Sequence, residues 1–242
     1  MTPFWISAFV DLSPDSFDDE LAFWTAVTGW EVSPVRGAAG EFVTLLPPAG
    51  GDHLRVQRLA SGRPRIHLDL HVASPRQAAD RAVDLGAREV ADLGHVVLAS
   101  PGGFPFCLVG HPASQPAPST EWPGGHRSTV DQVCLDIPAE LFDRELRFWR
   151  ELTGRELSDR TGGEFRRLPA PPHEPLQLLL QRLGEPLGEV RAHLDLATTD
   201  RTAETERHVA LGARVVAPYE GWTVLTDPAG SAYCITDRVP SR

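Results

Sequence analysis

One six-residue pattern is written twice in this chain, and it restricts the fold more than any other feature. Arg65-Ile66-His67-Leu68-Asp69-Leu70 returns as Arg191-Ala192-His193-Leu194-Asp195-Leu196, which carries a His-Leu-Asp-Leu core from position 67 to position 193. In each copy apolar residues alternate with a histidine and an aspartate, the period of a β-strand with one apolar and one polar face. A packed interior rarely takes two ionisable side chains per strand. The His/Asp face is therefore read as the floor of a pocket.

The repeat extends well beyond the strand. Phe17, Leu21, Trp24, Val27 and Gly29 recur as Phe142, Leu146, Trp149, Leu152 and Gly154, a helical spacing closed by a glycine stop, so these aromatics are expected to pack on a sheet. Gln57-Arg58-Leu59 matches Gln181-Arg182-Leu183, and Leu85-Gly86-Ala87-Arg88 matches Leu211-Gly212-Ala213-Arg214. Such agreement across 242 residues implies duplication of a whole domain. The expected division is a first domain over residues 1–111, a Pro/Ser/Gly-rich linker over 112–128 and a second domain over 129–242, with Trp122 docking the linker. In the first half, strands are predicted at 6–12, 30–32, 41–46, 54–59, 65–70, 88–90, 95–99 and 104–109, with helices starting near Pro14 and at Pro75. The order is strand, helix and three strands, twice over in each half.

Composition removes several classes of function. Lysine and arginine number 23 against 33 acidic residues, a formal charge of −10, which disfavours a phosphate backbone or an anionic membrane surface as partner. The opening residues, Met1 to Val10, have neither a charged leader nor a long apolar run, so no signal peptide or membrane span is expected. Three cysteines without a CxxC pair make no disulfide framework, and a reducing cytoplasm is the default expectation.

Phe23-Trp24 with Gly29-Trp30, Gln-Arg-Leu followed by His-Leu-Asp-Leu, Leu-Gly-Ala, and Asp227-Pro228-Ala229-Gly230-Ser231-Ala232-Tyr233-Cys234 together resemble the glyoxalase-like branch of the vicinal oxygen chelate superfamily, which includes bleomycin-resistance proteins and extradiol dioxygenases. The resemblance covers nearly the whole chain. It implies an α+β fold of two tandem domains, each a pair of βαβββ modules forming a curved, cup-like mixed sheet with helices outside. It implies less about activity, because one scaffold hosts many chemistries. Metal-using members place ligands on the first and last strands of each module. Carried onto this chain, those positions are Ser7, Gln57, His67 and Cys107, then Gln132, Gln181, His193 and Cys234. Only the histidine is a routine ligand in each set, and serine and glutamine are poor substitutes.

Strand alternation names the other residues that share the cup with His67. Asp69 and His71, Trp5, Ser7, Phe9 and Asp11, and His53, Arg55 and Gln57 fall on its side, while Leu68, Leu70, Val10 and Leu12 meet the helices. The second cup has one histidine where the first has three, so chemistry is assigned to the first. Two catalytic arrangements are open there. His67 could pair with Cys107, and His193 with Cys234, as imidazole and thiol, although a packed thiol beside a hydrogen-bonded histidine is the commoner outcome. Alternatively, His67 with Asp69 or Asp11 could act as general acid and base. Residues two apart on a strand are about 6.6 Å apart by the strand rise, which leaves room for a substrate between His67 and Asp69.

Three functions follow as expectations. One is a small-molecule protein, by binding or metal-independent catalysis in the first cup. Another is a metal-dependent lyase, isomerase or dioxygenase using zinc, nickel, iron or manganese, with His67 as the ligand in the first half and His193 in the second. The third is a drug-sequestering protein without turnover. A small organic ligand is the expected partner in each case, and a homodimer is compatible with all three. Histidines 95, 111, 126, 173 and 208 are read as surface or loop residues, and 160–167 as a solvated strand edge.

Overall fold

The structure is a computed structural model that describes residues 2–159 and 162–240. The first half runs β1 (Trp5–Leu12), α1 (Phe17–Thr28), β2 (Glu31–Val32), β3 (Phe42–Leu46), β4 (Leu54–Arg58), β5 (Arg65–His71), α2 (Pro75–Asp84), β6 (Arg88–Asp92), β7 (Val96–Ala99) and β8 (Pro105–Val109). The second continues with β9 (Thr120–Glu121), β10 (Arg127–Ile137), α3 (Phe142–Thr153), β11 (Phe165–Leu168), β12 (Gln177–Arg182), β13 (Arg191–Thr198), α4 (Arg201–Ala210), β14 (Arg214–Tyr219), β15 (Trp222–Thr226) and β16 (Ala232–Thr236). Two βαβββ modules occupy the first half, as expected. The second half repeats them without a described counterpart of β2.

Local chemistry accounts for the helices. α1 and α3 end where Gly29 and Gly154 take left-handed backbone, φ +68° and +67°, which a side chain would resist. α2 starts on Pro75, whose missing N–H falls at a helix position that has no use for it. α4 starts on Asp200, whose carboxylate accepts the Ala203 N–H.

The strands form two mixed sheets, in the orders β2-β3-β4-β1-β5-β8-β7-β6 and β11-β12-β10-β13-β16-β15-β14, with β9 on β10. β5 pairs with β8 in parallel, setting Leu68 beside Phe106 and Asp69 beside Cys107; β13 and β16 repeat this with Asp195 beside Cys234. A strand buried on both faces suits such central parallel pairs, and from Ile66 to His71 every residue of β5 is buried. The 112–128 stretch is more structured than linker composition suggests. It contains β9 and the start of β10, and Trp122 donates its indole N–H to Ser128 Oγ at 2.8 Å under the Arg207 guanidinium, 3.5 Å from the ring. β11 ends its sheet's strand order as an edge should, whereas Arg160 and Thr161 lie outside the described residues.

Packing groups the chain into two compact units that interleave the sequence halves. The first comprises Met1–Phe9, Ile66–Gln115 and Val133–Ala192; the second comprises Val10–Arg65, Pro116–Gln132 and His193–Arg242. Inside the first, Phe104 and Phe106 lie 6.0 and 5.5 Å from Trp149 of α3, and Arg81 of α2 caps the Glu151 carbonyl. Inside the second, Trp24 of α1 lies 5.4 Å from Tyr233, and Arg207 of α4 donates to the carbonyls of Ala26 and Val27 at 3.0 and 2.9 Å. The helix aromatics do pack on a sheet strand. That strand comes from the other half of the sequence. No helix among the described residues is long and apolar enough to cross a membrane.

Candidate functional site

In the first unit, β5 presents His67, Asp69 and His71 at alternate positions and the parallel register brings Cys107 of β8 beside Asp69. The His67 ring is stacked on Phe9, centroids 4.5 Å apart and planes 11° from parallel. Its Nε2 lies 3.8 Å from Asp69 Oδ1. The predicted gap between the two is therefore closed: side chains two apart on a strand lean together, and no substrate fits between them. His67, Asp69 and Cys107 each bring a donor atom within 4.8 Å of the others, and all three are buried.

Ser7, His71 and Trp5 share this unit and have structural partners. Carbonyls only accept, so His71 donates Nδ1–H to the His111 carbonyl at 3.2 Å; in the neutral ring Nε2 then accepts the Ser7 hydroxyl at 2.9 Å. Trp5 is 1% exposed.

The other four predicted residues, Asp11, His53, Arg55 and Gln57, belong to the second unit. Fully buried Asp11 accepts from Arg65 Nε at 3.0 Å. His53 is also buried and donates Nε2–H to the Val130 carbonyl at 2.9 Å, with Trp30 edge-on to its ring. Burial outweighs that carbonyl and pulls its pKa down to about 4, so His53 is neutral at pH 7. Arg55 pairs with Asp52 at 3.0 Å, and Gln57 lies opposite Phe42 in the ladder.

The second copy of the motif lies in the second unit. His193 Nε2 is 3.3 Å from Asp195 Oδ1, and the Gln132 amide donates to Asp195 Oδ2. Burial pushes Asp195 upward, but hydrogen bonding and charge from His193, with Arg238 and Gln132, hold it below the ordinary aspartate value. Burial pushes the Cys234 thiol up despite the neighbouring His193. A raised thiol pKa favours the neutral form over the nucleophilic thiolate.

Two clusters escaped the sequence reading. Histidines 126 and 208, expected at the surface, are buried in the second unit. Glu204 of α4 accepts from Arg207 at 2.8 Å, lies 3.1 Å from His208 Nε2 and 2.9 Å from His126 Nε2, while His208 Nδ1 meets Tyr233 Oη at 2.9 Å. Burial raises Glu204, but the bonds from Arg207 and His208 overcome it and leave the carboxylate far below its usual range. The signal was a Glu-Arg-His set at positions 204, 207 and 208 where the first half has Ala78, Arg81 and Ala82. The other cluster pairs Glu20 with Asp227, and nothing local in the sequence announces it.

A fold-implied metal can be tested against these donors. The carried-over quartet does not fit: the Ser7 hydroxyl is engaged by His71, and a glutamine amide is a weak ligand. The trio His67, Asp69 and Cys107 does fit a zinc-type cation by donor chemistry, since imidazole, carboxylate and thiolate with one open position suit it.

A family model described as a glyoxalase-like domain matches residues 7–109 and again 132–236. No curated protein matches the chain. Among solved structures, the Mn(II)-bound glyoxalase from Novosphingobium aromaticivorans is similar, with a TM-score of 0.66 at 16% identity over 95% of this chain and 80% of that one. A variant of 4-hydroxymandelate synthase from Streptomyces coelicolor gives 0.65 at 14% identity, over 99% and 94%. An extradiol ring-cleaving dioxygenase from B. fuscum gives 0.67 at 12% identity, over 98% and 72%. At these identities the likeness is one of fold.

Proposed function

The chain belongs to the glyoxalase-like domain family, in two tandem copies, and from that premise we propose that it binds a small organic molecule at the His67 wall and moves a proton there. The supporting observation is the cluster itself: an imidazole held on Phe9, with the Asp69 carboxylate 3.8 Å from its Nε2 and Cys107 beside them. An imidazole next to a carboxylate can take a proton from a polarised C–H or O–H while the carboxylate stabilises the imidazolium. Phe9 supplies apolar surface for the body of the ligand, whereas Trp5, 1% exposed, offers none. Asp11, His53, Arg55 and Gln57 have partners of their own in the second unit, and the reading does not use them. The two domains remain 1–111 and 129–242 in this proposal.

A second reading has its own support in the fit of the trio. His67, Asp69 and Cys107 would hold a zinc-type cation, which when bound would polarise a substrate oxygen. The chain's own part would be to orient that oxygen beside Phe9.

Elemental analysis of purified wild type and His67→Ala, together with thermal-shift and product assays over small carbonyl and catechol compounds, separates the readings. Stabilisation and turnover lost in His67→Ala, with circular dichroism unchanged and no metal in either protein, support the first. Stoichiometric metal lost with that substitution supports the second. Binding without product points to sequestration, and ligand responses identical in wild type and His67→Ala sink the assignment of the site.

A further inference from the structure

The second unit holds a buried acid pair with no part in the proposed site. Glu20, in the first turn of α1, is fully buried, and its Oε1 accepts the Ala229 N–H at 2.6 Å from the turn joining β15 to β16. Asp227, at the start of that turn, is 2% exposed; its Oδ1 accepts the Ser231 N–H at 2.7 Å. The remaining oxygens, Glu20 Oε2 and Asp227 Oδ2, are buried without an assigned donor among the described residues, as is the Trp24 indole nitrogen that faces Asp227. The two carboxyl groups are neighbours, and Asp227 raises the proton affinity of Glu20. Two acceptors can bond to each other only with a proton between them.

The first unit shows the alternative. Glu145 of α3 stands where Glu20 stands in α1, and it accepts from Gly102 N–H at 2.6 Å and from the Trp149 indole at 2.8 Å, with Ser100 in the place of Asp227. There both carboxylate oxygens have donors, and Ser100 rather than an acid faces Glu145.

We propose that Glu20 and Asp227 share one buried proton, and that its release frees the β15–β16 turn from α1, so that this contact acts as a pH-sensitive latch. The groups facing the pair are Asp19 and the Trp24 indole on α1, the Gly230 and Ser231 amides of the turn, and Tyr233 on β16 with Glu204, Arg207 and His208 of α4 behind it. Burial is the main influence on Glu20, and the bond and charge of Asp227 add to it, raising its pKa to about 8. Asp227 is raised as well, again by burial. For a carboxyl that holds its proton more tightly when folded, stability is fully present below about pH 4.5 and is lost as pH rises to 8. His53, held neutral by burial, acts in the opposite sense below about pH 6.5. The window from 6.5 to 8 therefore exposes the acid pair.

The test is a carbon-13 titration of the Glu20 carboxyl in wild type and Asp227→Asn, with melting temperatures of both proteins and of Glu20→Gln from pH 6 to 9. The expected result is a wild-type midpoint near 8, moved at least one unit lower in Asp227→Asn. The wild-type melting temperature should fall between pH 6.5 and 8 and then level off, with a flatter profile in Glu20→Gln. Exchange of the Ala229 amide should quicken at least tenfold beyond its intrinsic rise over the same window. A wild-type midpoint below 6, or one unmoved by Asp227→Asn, overturns the shared proton. Ala229 protection unchanged through the titration overturns the latch. The titration needs no Glu20 variant to fold, so it stands even if Glu20→Gln does not.

Discussion

Histidines in this chain differ by what reaches their second ring nitrogen. His53 has its Nε2–H on a carbonyl and lies fully buried, and the cost of burying a charged ring outweighs the help that the Val130 and Gly51 backbone and Asp52 would give a second proton. Folding therefore excludes the imidazolium, and stability gained above pH 6.5 is lost as pH falls toward 4. The shift from 6.5 to about 4 corresponds to roughly 3 kcal/mol by linkage. Urea titrations at pH 7 and 4.5 should show that loss in wild type and a clearly smaller one in His53→Gln; equal losses would refute it. Phe9 supports a different histidine. Phe9→Ala removes a buried ring and the face against which His67 is stacked, and should cost about 3 to 5 kcal/mol while also weakening whatever the His67 cluster binds. A melting temperature within a degree of wild type would contradict that.

At the scale of elements, the helix ends and the face of α4 carry the consequences. Gly29 closes α1 at φ +68°, and a Cβ there would stand 3.0 Å from the Trp122 ring and 3.3 Å from Thr120. Gly29→Ala should destabilise by about 1 to 2 kcal/mol, from the left-handed backbone plus that crowding, as read by equilibrium denaturation; a neutral effect would mean that the 116–132 segment yields freely. In α4, Glu204 holds Arg207, His208 and His126 together. Glu204→Ala leaves the largely buried Arg207 guanidinium without its counter-ion and should cost about 3 to 5 kcal/mol. An unfolding free energy equal to that of wild type would show the network to be dispensable. The first half has Ala78 where the second has Glu204, so Ala78→Gly offers a comparison without a charge term.

For the whole molecule, the interleaving of the halves makes a prediction that a two-domain reading alone would not. Trp24 of α1 packs on Tyr233, and Phe104 and Phe106 pack on Trp149, so each half supplies walls that the other half's aromatics need. A fragment ending at residue 128 should lack cooperative unfolding and should aggregate, as judged by far-ultraviolet circular dichroism and gel filtration; a monomeric fragment with a sharp transition would refute this. Much of the fold was legible beforehand. Apolar period, glycine stops and the repeat at 67 and 193 placed the helices and nearly every strand, because those signals act over a few residues and are written where they act. The His67 cluster was half legible: alternation put Asp69 on its face, but the 3.8 Å approach depends on how the side chains lean. Duplication also determined that each half would carry the same module. Only the tertiary structure decided that Ser7 is engaged by His71, that Glu20 meets Asp227 and that α1 rests on β16. Those partners lie tens to hundreds of residues apart, and such contacts are chosen by packing and by the desolvation of buried polar groups, which no local pattern encodes.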